Sequence, residues 1–154
     1  MDDTRIVAWD HELRAAHSKL RAALELARDS VDEGADAASG PAADLTLFCV
    51  GFCSALDGHH RSEDAGLFPE LRAEHPELGP VIDKLMQDHS MLSYLLADLR
   101  AAIDGGAEPA DLHRHLDGIG AIMESHFAYE ERQVLVPLAA LRSTRPVTEL
   151  LGPL

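Results

Sequence analysis

Four segments of this chain place apolar residues at the 3.6-residue period of an amphipathic helix, and every one of those stripes is broken by a histidine. The first stripe is Ile6, Trp9, Leu13, His17, Leu20 and Leu24; the second is Phe48, Phe52, Leu56, His59 and Glu63. The third runs Ile82, Leu85, His89, Leu92, Leu96, Leu99 and Ile103, and the fourth Leu112, Leu116, Ile119, Met123, His126, Glu130 and Val134. Connections bearing glycine or proline separate them, such as "DEGADAASGPAAD" and "DGGAEP". Pro69 and Pro137 read as stops for the second and fourth helices, and Pro109 is placed to open the fourth. The pattern predicts an all-α, up-down-up-down four-helix bundle over residues 1–142. Residues 143–154 read as a C-terminal tail that packs loosely or frays.

The question is why core faces carry imidazole and carboxylate. His59 and Glu63 lie one helical turn apart, as do His126 and Glu130. One His-x-x-x-Glu pair means little, but here each follows a helix carrying His-x-x-Leu-x-x-x-Leu, "HSKLRAAL" from His17 and "HSMLSYLL" from His89. Each pair is also followed by apolar residues and proline, "LFP" and "VLVP". The chain reads as two related helical hairpins, each contributing His, His and Glu to one interior.

A buried unpaired carboxylate costs several kcal/mol or takes up a proton. Four imidazoles and two carboxylates could satisfy one another as a purely structural network, but leucine would fill such a core more simply. A pair of cations neutralises both carboxylates and uses each imidazole lone pair. Nitrogen and oxygen donors without thiolate suit iron, manganese or zinc. Six side chains supply fewer donor atoms than the roughly twelve that two six-coordinate ions need, so exchangeable positions for small ligands remain.

This order of motifs resembles the hemerythrin-like (HHE cation-binding) family: His on the first helix, His-x-x-x-Glu on the second, His on the third, His-x-x-x-Glu on the fourth. The resemblance covers roughly Ala8 to Leu141. It implies a four-helix bundle holding two Fe ions per chain as a non-haem, oxo- or hydroxo-bridged di-iron centre. Carried over by motif, the metal ligands would be His17, His59, Glu63, His89, His126 and Glu130, with the glutamates bridging. Family roles include oxygen carriage or sensing, iron sensing, and reaction with hydrogen peroxide or nitric oxide. One position departs from the oxygen carriers, which have a further histidine one turn after the third-helix histidine; here it is Ser93. That departure leaves one iron more open or lets another group fill the place. Ferritin-like bundles use paired Glu-x-x-His motifs, which the predicted core faces lack.

Several neighbours compete for roles. His11 is the rival of His17 but falls off the stripe, and Glu131 is the rival of Glu130. His60 and Asp64 form a second i,i+4 pair rotated by about 100° from His59 and Glu63. They read as flanking residues that orient a ligand, with direct ligation as the alternative. Tyr129 and Tyr94 are phenol candidates near an open iron, with ordinary packing as the bland reading. His75, His113 and His115 read as loop or solvent-side residues, and Cys49 and Cys53 as small buried apolar residues.

Charge and composition bound the partners. With 27 acidic and 13 basic residues the formal charge is −14, which repels phosphate backbones and anionic lipid, so neither nucleic acid nor a membrane is expected. The start lacks a secretory pattern, the longest apolar run (Leu45 to Leu56) is too short to span a bilayer, and two cysteines at i,i+4 make no disulfide framework. A soluble, cytoplasmic, reduced protein is expected. Its expected partners are a small oxidant (dioxygen, peroxide or nitric oxide) and a protein electron donor. Catalase- or peroxidase-like turnover, with a role in oxidative stress, stands against a sensor or an oxygen store without turnover.

Overall fold

The computed structural model describes residues 7–36 and 42–154. Four long helices form the body: α1 (Trp9–Asp36), α2 (Ala42–Ser62), α4 (Gly79–Asp104) and α5 (Pro109–Ala139). Two short helices, α3 (Phe68–Glu74) and α6 (Val147–Leu151), close one end. α1 packs on α2 and α5, and α4 packs on α5 and α2, so each long helix has two neighbours around a square. This is the expected helical bundle.

Local chemistry accounts for several of the ends. Asp10 and Glu12 sit in the first turn of α1, where negative charge complements the exposed N–H groups. Pro109 occupies the first turn of α5, where its missing donor costs nothing. Gly105 and Gly106 terminate α4, and Gly106 takes φ +70°, a conformation that favours glycine.

The prolines do not act as the stops they resemble. A five-residue π-helical turn (Glu63–Leu67) follows α2, closed by the Phe68 N–H donating to the Glu63 carbonyl, and α3 then carries the chain to Glu74. Pro69 lies in the first turn of α3, where no intrahelical donor is required of it. Pro137 lies inside α5, and the helix runs on to Ala139. α1 also extends to Asp36, into the predicted polar loop; residues 37–41 of that loop, and Ile6 of the first stripe, lie outside the described residues.

The C-terminal tail does not fray. Leu150, Leu151 and Gly152 are buried, and α6 packs against α1, α2 and the π-turn. Gly66 makes room for it: a Cβ there would lie 2.7 Å from Leu150 Cδ2. Gly152, at φ +93°, brings its own backbone against that of His59, with an added Cβ 3.0 Å from His59 Cα.

The apolar core falls into two lobes. One contains Leu20, Leu24, Phe52, Leu56, Leu96 and Leu116; the other contains Trp9, Leu13, Leu67, Phe68, Ile82 and Leu150. Between them lies a belt of buried polar side chains. No described helix is long and apolar enough to cross a membrane.

Candidate metal centre

The helical period brings six side chains from the four long helices and the π-turn to one interior belt. His17, His59, Glu63 and Glu130 are 0% exposed, His126 2% and His89 4%. Their inner atoms converge. His59 Nε2 lies 3.3 Å and His89 Nε2 3.5 Å from Glu63 Oε1, while His17 Nε2 is 3.2 Å from Glu130 Oε1 and His126 Nε2 is 3.4 Å from Glu130 Oε2. Each carboxylate therefore stands between one histidine of the first hairpin and one of the second. The π-turn begins at Glu63, the kind of local widening that often marks a functional site.

The outer nitrogens are held by acceptors. His59 Nδ1 donates to the Leu151 carbonyl at 2.7 Å, His89 Nδ1 to Asp64 at 2.8 Å and His126 Nδ1 to Asp88 at 3.0 Å. His17 Nδ1 faces Glu131 at the longer distance of 3.7 Å. An imidazole whose Nδ1 donates outward presents its Nε2 lone pair inward, the arrangement found around metal-bound histidines. His89 Nε2 and His126 Nε2 are only 3.1 Å apart, so a proton or a cation must lie between those lone pairs.

Burial and charge set the protonation of this belt. Burial lowers His59 to about 4, so it is neutral at pH 7. Burial, reinforced by the neighbouring Glu130 carboxylate, raises Glu63 well above the usual range. Burial acts the same way on Glu130, but the neighbouring His126 and His17 imidazoles more than offset it and hold it well below. His126 is pulled down by burial yet ends raised, because Glu130 and Asp88 both favour its charged form. Without a cation, burial favours the protonated form of Glu63, and Glu130 and Asp88 favour the charged form of His126.

The donor atoms fit a cation better than they fit one another. Both oxygens of Glu63 and of Glu130, both nitrogens of His17, and the Nε2 atoms of His59 and His60 are buried with no hydrogen-bond partner among the described residues. Unpaired buried groups of this kind each cost about 1–3 kcal/mol or more. Groupings with ligand atoms within 4.8 Å of one another include His17–His59–Glu130 and Glu63–His89–Glu130, so the belt can hold metal.

The other sequence candidates separate clearly. Asp64 and Glu131 stand outside the belt, Asp64 against His89 and Glu131 facing His17. Tyr129 is directed elsewhere, under Lys84 at 4.4 Å and Arg132 at 5.8 Å from its ring centre, and Tyr94 is 69% exposed. His11 and Ser93 are exposed. Cys49 and Cys53 are free and buried. His60, expected at a flank, is instead in the belt: 3% exposed and stacked on His89 with ring centres 3.8 Å apart. Sequence reasoning missed Asp88 and Leu151. Asp88 had a faint signal, an acid beside a stripe histidine; a main-chain carbonyl has none.

Fold and site together define a helical bundle whose buried histidine and glutamate clusters could hold a metal cation. The match to a family model is specific: residues 10–150 fit the hemerythrin HHE cation-binding domain, and the chain belongs to that family. No curated protein and no solved structure matches the chain significantly.

Proposed function

We propose that this protein holds two iron ions between His17, His59, Glu63, His89, His126 and Glu130, and that the centre binds or reacts with a small oxidant: dioxygen, hydrogen peroxide or nitric oxide. The observation that carries this reading is the set of unpartnered buried oxygens on Glu63 and Glu130, each between histidines of two hairpins. Two carboxylates and mixed nitrogen donors without thiolate suit iron. Iron supplies reversible one-electron chemistry to such a ligand.

The chain's own part is to position, dry and admit. Asp64, Asp88 and the Leu151 carbonyl hold the imidazoles with Nε2 inward. The two apolar lobes exclude bulk water from both ends of the belt. A groove of about 490 Å³ lined by Asp64, Phe68, Ile82 and Met86 abuts the belt at His89, and offers a small molecule an approach. Oxidant consumption at such a centre reads as peroxide or nitric oxide removal.

Metal analysis with an absorption spectrum tests the centre: about two irons per chain with near-ultraviolet charge-transfer bands is the expected result. His59→Ala and Glu63→Ala should lose most of that iron, and His113→Ala should keep it. Equal iron in all three variants would show that the belt is not the site. Peroxide and nitric oxide consumption by the loaded protein separates turnover from carriage or sensing.

A further inference from the structure

We infer that His60 is a fifth histidine ligand, completing a three-imidazole set with His89 and His126 while His17 and His59 serve the other cation. The inference rests on the two-cation reading above and extends it to a residue outside the resemblance's ligand set. A ring nitrogen of His60 lies within 4.8 Å of those offered by His89 and His126, all three buried. The His60 ring meets His126 edge-on (5.1 Å, 79°) but lies parallel to His89 (3.8 Å, 8°), so one of those two rings must tilt out of the stack for both in-plane lone pairs to reach one cation.

His60 does not do what an orienting residue does. Its Nε2 is buried with no hydrogen-bond partner among the described residues. Asp64 already holds His89, and Asp88 already holds His126. An imidazole nitrogen at the centre of a bundle, unbonded and beside two inward-facing lone pairs, is a donor without an acceptor to serve.

Helix geometry explains how neighbours in sequence serve different cations. Consecutive residues project about 100° apart, and α2 lies between α1 and α4. His59 meets His17 of α1 edge-on at 5.6 Å, while His60 turns to His89 of α4 at 3.8 Å, and the His59 and His60 rings are themselves 5.5 Å apart. The nitrogen donor absent at the exposed Ser93 is thus supplied from α2 instead of α4.

The test uses the full chain loaded anaerobically with ferrous iron. His60→Phe keeps a flat ring against His89 but removes the donor. Both irons should bind to the native protein, and one of the two should bind at least about tenfold more weakly in His60→Phe, with an altered absorption spectrum. Unchanged affinity and spectrum for both irons in the variant would overturn the ligand role of His60 alone. A native protein that never binds more than one iron would overturn the two-cation reading and this inference with it. Should the variant fail to fold, a crystal structure of the iron-loaded native protein decides: a His60 nitrogen near the roughly 2.1 Å of a metal–imidazole bond supports the assignment, and one beyond hydrogen-bond distance refutes it.

Discussion

The Nδ1–H of His59 donates to the main-chain carbonyl of Leu151 at 2.7 Å, so the end of the chain sets the tautomer of a histidine in the belt. With that proton directed outward, His59 Nε2 faces Glu63 as a lone pair. The contact is reinforced by Gly152, whose backbone lies against His59, and by Leu150, which fills the space left by Gly66.

Removing residues 147–154 should therefore do more than shorten the chain. Burial of Leu150 and Leu151 is lost, at about 1.5–3 kcal/mol each, and His59 loses its acceptor. The expected outcome is a helical protein with a lower melting temperature and metal affinity reduced about 10–100-fold, read by chelator competition. Gly152→Val should move affinity the same way, since its Cβ would press on the His59 backbone at a φ that disfavours side chains. Unaltered affinity in both variants would show that the tail only covers the bundle.

Asp88 and Asp64 make a second prediction. Each accepts from the outer nitrogen of one belt histidine, His126 and His89 respectively, and each is partly exposed. Asp88→Ala should weaken metal binding by roughly tenfold with little change in helix content. Asp64→Ala should act similarly. The surface pair His113–Asp32 makes a control of the same chemistry away from the belt, and its loss should leave metal affinity alone. Isothermal titration with ferrous iron or a redox-inert divalent surrogate distinguishes the three.

Much of the frame was legible because helical period and burial are the same fact seen twice. Leu13, His17 and Leu20 recur every three to four residues, Leu116, Met123 and Glu130 every two turns, and all face the interior. The polar interruptions were legible for the same reason. Less visible was anything that depends on a third element. Pro69 looks terminal until a π-turn shifts the ladder and places it in a first turn, where it needs no donor. His60 looks peripheral if α2 has one buried stripe, but α2 packs on both α1 and α4 and buries a wider arc. The tail's packing depends on Gly66 and on a main-chain carbonyl, neither of which a hydropathy pattern registers.

Phe127 supports the belt from the side. Its buried ring stacks on His17 at 3.8 Å with 8° between planes, while Arg21 lies 5.4 Å over its centre. His17 has no hydrogen-bond partner at either nitrogen, so packing is what fixes its tilt. Phe127→Ala should cost about 3–5 kcal/mol in denaturant unfolding and loosen metal binding as well. Phe127→Tyr tests the same contact by adding a hydroxyl to a full site; metal affinity that survives Phe127→Ala would show that His17 is held by its helix alone.

Cation binding should expel protons, because the cation-free belt stores them. Burial raises Glu63 well above the ordinary carboxylate range, and His126 is raised through Glu130 and Asp88 despite its burial, whereas His59, lowered to about 4, is neutral at pH 7 and keeps only its Nδ1 proton. Bridging requires Glu63 ionised, so metal uptake near neutrality should release on the order of one proton from it, and a further fraction from His126. Apparent affinity should rise with pH, by about tenfold per unit for each proton released, and level off above the raised value for Glu63. Stability of the cation-free protein follows the same sign. The folded value of Glu63 lies above its unfolded one, so its contribution is complete below about 4.5 and is lost as pH rises through the folded value. His59 acts oppositely: its contribution is complete above about 6.5 and is lost as pH falls toward 4. Titrating metal in two buffers of different ionisation enthalpy counts the protons, and a count of zero at pH 7 would mean that Glu63 is already ionised in the empty belt.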